Sequence, residues 1–409
     1  MLRSLSRSLS SRKHLDLSEE LSTSPGNGLG LFDIDEIVLG AHIASGRYSD
    51  SFEIKEFRQR RTADSAVEQF SRDYMTKHVR KPETNKARYA IKLIRKEYMD
   101  SFERLEMAAT DLSNDAEVMS KLQHRNIMKL CGTSTNGTED YINKGRHDGY
   151  FIIFERLEET FEQKMSAWIR QKQGMKSRDR ISGFLKRTDH DKKAQFLAER
   201  LQVAHDIADA LEYMHQHGIV HGSLDIDHVG FTTSGKVQVF DFGTATQLSQ
   251  DDKIQSDIRR SPRTEHYQSP EVYFADAYDC KADVYSFATL LCEIISLCIG
   301  SRKKKVRKSA NNISKIRSIS ASAYSKIMDM LERGWSINPE NRPKMAEMRE
   351  TLADILNELS RCKDTHVHLR RCRHTLFYVE PKSFEKRLAR DESESTELLG
   401  ESFASLQTY

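Results

Sequence analysis

No apolar run in this chain approaches the ~18 residues that cross a bilayer as a helix. The nearest, Ser286 to Gly300, is interrupted by Glu293 and reads as a buried helix, so no membrane span is expected. Cysteine is scarce and poorly spaced for chemistry. The six thiols (Cys131, Cys280, Cys292, Cys298, Cys362, Cys372) contain no CxxC pair and lie mostly in apolar runs. That argues against a disulfide framework or a zinc site and fits a reducing interior. With 19 glycines and 7 prolines in 409 residues, collagen is excluded, and neither a coiled coil nor a secreted cystine knot is supported. An excess of one charge is missing too. Lys and Arg number 64 against 61 Asp and Glu, a net charge of +3 that creates no molecule-wide field for nucleic acid.

What is present suits a folded body. Hydrophobic residues make up 38% and charged residues 31%, over a length that gives roughly two to three domains by size alone. Residues 1–30 form a basic Ser/Arg-rich tail, expected to be disordered, with RSLS at 3–6 repeated at 7–10 and Pro25-Gly26-Asn27-Gly28 closing it. Acidic residues are absent before Asp16, and Leu2, Leu5 and Leu9 share a helical face opposite Arg3 and Arg7. A mitochondrial presequence is therefore a second reading beside a phosphorylatable tail.

From Leu31 the periodicity changes. Residues 32–39, 48–54 and 88–94 read as strands, separated by a polar insertion at 55–87 of helical or irregular character. Leu105 to Leu122 has helical spacing, Tyr150 to Phe154 is a short apolar strand, and Ala194 to His217 is a long helix. Two short strands flank Asp241, helical periods run from Lys281 to about 360, and residues 361–409 form a flexible polar tail. A β-rich lobe over 31–157 and a mainly helical lobe over 158–360 are expected.

The motifs follow in a specific order: Ile43 to Ser51 with Gly46, then Ala90-Ile91-Lys92, His221-Gly222-Ser223-Leu224, Asp241-Phe242-Gly243 and Ser269-Pro270-Glu271. Asp283-Val-Tyr-Ser-Phe and Trp335 with Arg342-Pro343 complete the series. In that order the chain resembles a eukaryotic protein kinase of the tyrosine-kinase-like Ser/Thr type over roughly 35–358. The resemblance implies an α+β, two-lobed fold with a small β-sheet lobe carrying one main helix and a larger helical lobe. It implies Lys92 as the lysine holding the ATP α/β-phosphates. Asp115 takes the place of the helix glutamate that aims it, counted back from His124, and one methylene shorter. Glu117 points about 200° away round the helix. Gly46, Ala90, Phe154, Glu155 and Leu157 would line the nucleotide pocket, with Phe154 at its back, and Asp241 would hold Mg²⁺. Glu271 would pair with Arg342 in the helical lobe.

The catalytic loop departs from the family pattern. His-Arg-Asp-Leu-Lys-Pro-Glu-Asn is replaced by His221-Gly222-Ser223-Leu224-Asp225-Ile226-Asp227-His228. The base aspartate is Ser223, whose hydroxyl cannot accept a proton as a carboxylate does. The γ-phosphate lysine is Asp225, a reversal of sign. The metal-binding asparagine is His228, a poor ligand for an oxygen-seeking ion. Gly222 replaces the arginine that would receive a phosphorylated loop. The glycine-rich turn keeps one of three glycines, with Ala44 and Ser49 at the other two places and Ser51 where valine covers adenine. These changes lead to a pseudokinase: weak ATP binding, no intact catalytic residue, and action as scaffold or allosteric regulator of signalling proteins or of an active kinase, in cytoplasm or nucleus. The alternative is an active serine/threonine kinase using Asp225 or Asp227 as surrogate base. Ser261 and Thr264 are expected phosphorylation sites, and Arg302 to Lys308 a docking or import patch. The His366, His368, Cys372 and His374 group reads as polar tail rather than a metal cluster.

Overall fold

Strand alternation organises the first part of the computed structural model, which describes residues 28–137, 146–181, 186–248, 265–298 and 320–364. The RSLS repeats, Ser261, Thr264, the 302–308 patch and the His366–His374 group lie outside the described residues. Six strands form one sheet in the order β1-β5-β6-β4-β3-β2. They are β1 (Gly30–Phe32), β2 (Ile37–Ser45), β3 (Ser49–Phe57), β4 (Tyr89–Ile94), β5 (Leu130–Ser134) and β6 (Phe151–Glu155). Neighbours are antiparallel except β1 and β5, which run parallel. Successive side chains point to opposite faces. Tyr89, Ile91 and Leu93 thus join Ile54, Phe57, Phe151, Ile153, Phe32 and Ile37 in one apolar cluster. Ala90, Lys92 and Ile94 are sent to the other face by the same alternation.

Helix α1 (Ala66–Lys77) completes that cluster with Met75 and comes from the polar insertion. It begins at Ser65, whose Oγ accepts from Glu68 N at 3.1 Å. Its Arg72 is fully buried beside the buried Glu36, at 2.7 Å from Nη2 to Oε1, with the guanidinium 4.8 Å from the centroid of the Phe32 ring. The insertion is polar in composition because one face of α1 is solvated, not because it lacks structure. Helix α2 (Phe102–Lys121) starts at the cap Ser101 and buries Leu105, Ala108, Leu112, Asp115, Ala116 and Met119 at helical spacing.

Two compact units divide the chain: Met1–Lys164 with Asp209–Ile254, and Met165–Ala208 with Gln255–Tyr409. Two of the three boundaries fall within α3 (Phe161–Ile181) and α4 (Lys186–Gln216). The first unit also holds a three-stranded sheet of β7 (Glu159–Thr160), β9 (Val229–Phe231) and β10 (Val237–Val239), and the pair β8 (Ile219–Val220) and β11 (Thr246–Gln247). Backbone bonds from Met128 N to Val239 O (2.9 Å) and from Val239 N to Asn126 O (2.8 Å) fasten β10 to the segment after α2. The loops after β8 and after β10 are therefore held against the large sheet and its helix.

In the second unit, α6 (Lys281–Ser296) is buried from Ala282 to Ser296 all round, as expected for a helix apolar on every side. The short α5 (Pro270–Tyr273), α7 (Ala321–Gly334) and α8 (Met345–Asp364) belong to the same unit. Glu271 and Arg342 meet there in a buried bidentate pair at 2.6 and 2.8 Å. The fold is α+β, a β-sheet with one main helix followed by a larger helical region. Among the described residues Cys131, Cys280, Cys292 and Cys298 are free thiols, and no helix is long and apolar enough to cross a membrane.

Candidate functional site

The site lies wholly within the first unit. β4 delivers Lys92, partnered in register by Ser51 of β3 and Ile152 of β6. α2 delivers Asp115, and the loop after β10 delivers Asp241. Lys92 Nζ stands 2.7 Å from Asp115 Oδ2 and 2.7 Å from Asp241 Oδ1. The shorter aspartate therefore does reach the lysine, and its second oxygen accepts the Phe242 N–H at 2.9 Å. Glu117 is turned to the surface, where it pairs with Lys121 at 2.7 Å. Burial alone would pull the Lys92 ammonium down, but the charges of Asp115 and Asp241 outweigh it and hold it above the ordinary lysine range.

Asp241 takes φ +67°, a left-handed setting that a short polar side chain tolerates. The segment after it is tied to α2 by Asn114, whose Nδ2 lies 3.0, 3.0 and 2.7 Å from the carbonyl oxygens of Phe242, Gly243 and Ala245. Asn114 was invisible in the sequence, because a side chain bonding backbone more than a hundred residues away leaves no local pattern. Phe242 is buried against His221, with ring centroids 5.4 Å apart.

The loop 221–228 presents no carboxylate at its base position. Ser223 Oγ is 2.7 Å from Thr244 Oγ1 and 3.5 Å from His221 Nδ1. Gly222 before it has φ +76°, a setting that favours glycine. Asp225 is buried, and its Oδ1 caps the short turn after it by accepting from Asp227 N (2.8 Å) and His228 N (3.2 Å). Burial pushes its carboxyl above the usual range. His228 Nδ1 donates to the Ser223 carbonyl at 2.7 Å, and Nε2 lies 3.1 Å from Asp241 Oδ2. Burial opposes a charge on this ring, but Asp225 and Asp241 prevail and raise it to about 10. Desolvation works against the charge on Asp241, but Lys92 and His228 hold its carboxyl well below the carboxylate range.

The hairpin of β2 and β3 carries Gly46, whose N–H donates to Ser49 O at 2.7 Å. Its tip is pinned: Tyr98 Oη donates to Arg47 O at 2.6 Å, Arg95 N to Tyr48 O at 3.0 Å, and Tyr48 is buried with its hydroxyl 3.9 Å from Met107 Sδ. Ala90 lies opposite Phe154 and Tyr89 opposite Glu155 in the β4–β6 register. The Glu155 side chain is exposed and faces Arg88 at 3.7 Å. Leu157 packs on β9 where Gly230 leaves room, a Cβ there standing 2.5 Å from Leu157 Cδ1. The connection from β6 is held by Lys81 of the insertion, whose Nζ donates to Arg156 O (3.0 Å) and Thr233 Oγ1 (2.9 Å).

Mg²⁺ prefers octahedral oxygen coordination. Both Asp241 oxygens already face protein cations, and the second ligand position carries an imidazole. Among the described residues no group of three or more His, Cys, Asp or Glu side chains is placed to hold a metal ion. The residues present do not fit a Mg²⁺ site.

A family model described as "Protein tyrosine and serine/threonine kinase" matches residues 68–352. Serine/threonine-protein kinase STY17 of Arabidopsis thaliana is 25% identical over 272 residues, covering 63% of this chain and 40% of that protein. A probable LIM domain-containing serine/threonine-protein kinase of Dictyostelium discoideum is 28% identical over 180 residues, 42% of this chain and 26% of its own. Tyrosine-protein kinase TXK of Homo sapiens is 22% identical over 257 residues, 61% and 41% of the two chains. The matched part thus spans well under half the length of these relatives.

Proposed function

Since the chain belongs to the protein tyrosine and serine/threonine kinase family, we propose that it is a pseudokinase, a weak ATP binder that acts by contact as scaffold or allosteric regulator. The observation that carries this reading is Ser223. Its hydroxyl is engaged by Thr244 Oγ1 at 2.7 Å, and a neutral hydroxyl cannot take the proton of an acceptor alcohol. Asp225 does not replace it, because its carboxylate is buried and committed to the two N–H groups it caps. Catalysis of phosphoryl transfer rests on positioning and charge stabilisation together. Here the positioning pair Lys92–Asp115 is retained while the groups that act on the transferring phosphoryl are not.

When bound, ATP would present its α/β-phosphates to Lys92 and its adenine to the backbone of Glu155 and Leu157, in front of Phe154 and beneath the hairpin carrying Gly46 and Ala90's strand. Lys92 would orient the phosphates, and the pinned hairpin would restrict water. Binding of this kind stabilises the folded state by mass action and gives a switch without chemistry. The insertion supports a role in contacts: Val67, Phe70 and Tyr74 line one face of α1, and Phe70 is 71% exposed. The partners in this reading are signalling proteins or an active kinase, in the cytoplasm or nucleus.

The test is transfer of labelled phosphate from ATP to the chain itself and to generic protein substrates, with Mg²⁺ or Mn²⁺. No transfer is expected. Transfer that Lys92→Met abolishes would establish the alternative, an active serine/threonine kinase with an atypical loop.

A further inference from the structure

Asp241 is the residue through which a kinase would engage its divalent cation, and here it is balanced by the protein itself. Oδ1 lies 2.7 Å from Lys92 Nζ, and Oδ2 lies 3.1 Å from His228 Nε2. The other ring nitrogen, Nδ1, is 2.7 Å from the carbonyl oxygen of Ser223, a group with no proton to give. Nδ1 therefore carries a hydrogen. Nε2 faces a carboxylate, which also only accepts. With Nδ1 on the Ser223 carbonyl and Nε2 directed at Asp241 Oδ2, the ring fills the space a metal would need beside that oxygen. An N–H proton in such a bond stands about 2 Å from its acceptor oxygen, and Mg²⁺ keeps about the same distance, ~2.0–2.1 Å, from its ligands. Proton and metal compete for one position on Oδ2.

Two departures in the catalytic loop are complementary in this light. Asp225 introduces a negative charge where the family pattern has lysine, and His228 introduces a cation where it has asparagine. Asp225 Oδ1 lies 3.5 Å from His228 Nδ1 and also accepts the His228 N–H at 3.2 Å. The ring is thus held between Asp225, the Ser223 carbonyl and Asp241, with 19% of its side chain exposed. Swinging it aside to admit a metal would strip the buried Asp225 of a counter-charge.

We propose that the His228 side chain occupies the place of the divalent cation, so that adenine nucleotide binds this site with no gain from a metal ion. The proposal rests on the nucleotide-binding reading above and adds its independence of metal. The Lys92 ammonium is already flanked by Asp115 and Asp241 at 2.7 Å each, so the phosphates gain little net attraction and the affinity is low.

The experiment is titration of the full-length chain with ATP by calorimetry, once with EDTA and once with MgCl₂ in excess over nucleotide. The expected result is the same affinity within about twofold in both, with His228→Asn gaining about tenfold or more in Mg²⁺ alone. A wild-type affinity that rises about tenfold with Mg²⁺ overturns the proposal and leaves nucleotide binding standing. Absence of binding in both conditions overturns the nucleotide reading and this proposal with it. A second measurement needs no variant: Mn²⁺ added to the wild-type chain with ATP, followed by electron paramagnetic resonance. Only the signals of aquo Mn²⁺ and of Mn²⁺–ATP free in solution are expected, and a protein-bound Mn²⁺ signal would overturn the substitution.

Discussion

Replacing Glu36 by Gln removes one charge from the buried pair that fastens the insertion helix to the sheet. In the folded chain the Glu36 carboxylate accepts from Arg72 Nη2 at 2.7 Å and from the backbone N–H groups of Arg60, Arg61 and Asp33 at 2.6, 2.9 and 3.0 Å. Burial works against the charge, but these donors overcome it and bring the group down from 4.5 to about 2. About 2.5 pH units at ~1.36 kcal/mol each correspond to roughly 3 kcal/mol of stability. Because the folded value is depressed, that stability is fully present above pH 4.5 and is lost as the pH falls toward 2. Leaving Arg72 buried without its carboxylate adds to the cost, since breaking a buried pair typically loses about 3–5 kcal/mol. Urea denaturation of wild type and Glu36→Gln at pH 7 and pH 3 should show a gap of about 3 kcal/mol or more at neutrality, narrowed by about 2 kcal/mol at pH 3. A gap under about 1 kcal/mol at pH 7, or one that does not change with pH, would refute the reasoning.

Asn114→Ala strips donors from the carbonyls of Phe242, Gly243 and Ala245. It should cost about 1–3 kcal/mol and speed amide hydrogen exchange over 241–246, and unchanged exchange there would contradict it. Lys81→Met leaves Arg156 O and Thr233 Oγ1 without this donor. The urea midpoint should fall by the equivalent of about 1–3 kcal/mol, whereas an unchanged midpoint would show that the contact holds nothing. Gly230→Ala places a Cβ 2.5 Å from Leu157 Cδ1. A loss of about 1–3 kcal/mol is expected from the overpacking, relieved in the double variant with Leu157→Ala; absence of coupling between the two substitutions would refute that geometry.

The identity of the family was legible because its marks are local. Ala90-Ile91-Lys92 in an alternating strand, Asp241-Phe242-Gly243 after a short strand, and Asp115 counted back from His124 are each defined by their neighbours in the chain. The expectation that Ser223 stands where the family pattern has its base aspartate was drawn in the same way, from which atoms a side chain possesses. The insertion was harder to read, because its polar composition hides Arg72 and Met75, whose burial depends on β1 and Glu36 being nearby in space.

The chain's own order of residues determined which groups can ionise, which can accept a proton, and which faces of strands and helices are apolar. Only the tertiary structure decided how those charges are paired. That the shortened Asp115 reaches Lys92, that Lys92 also meets Asp241 149 residues away, and that His228 and Asp225, each a departure by itself, lie together beside Asp241, are matters of distance in space. Electrostatic energy depends on separation and burial rather than on position along the chain, so the partners emerge only when the chain is folded.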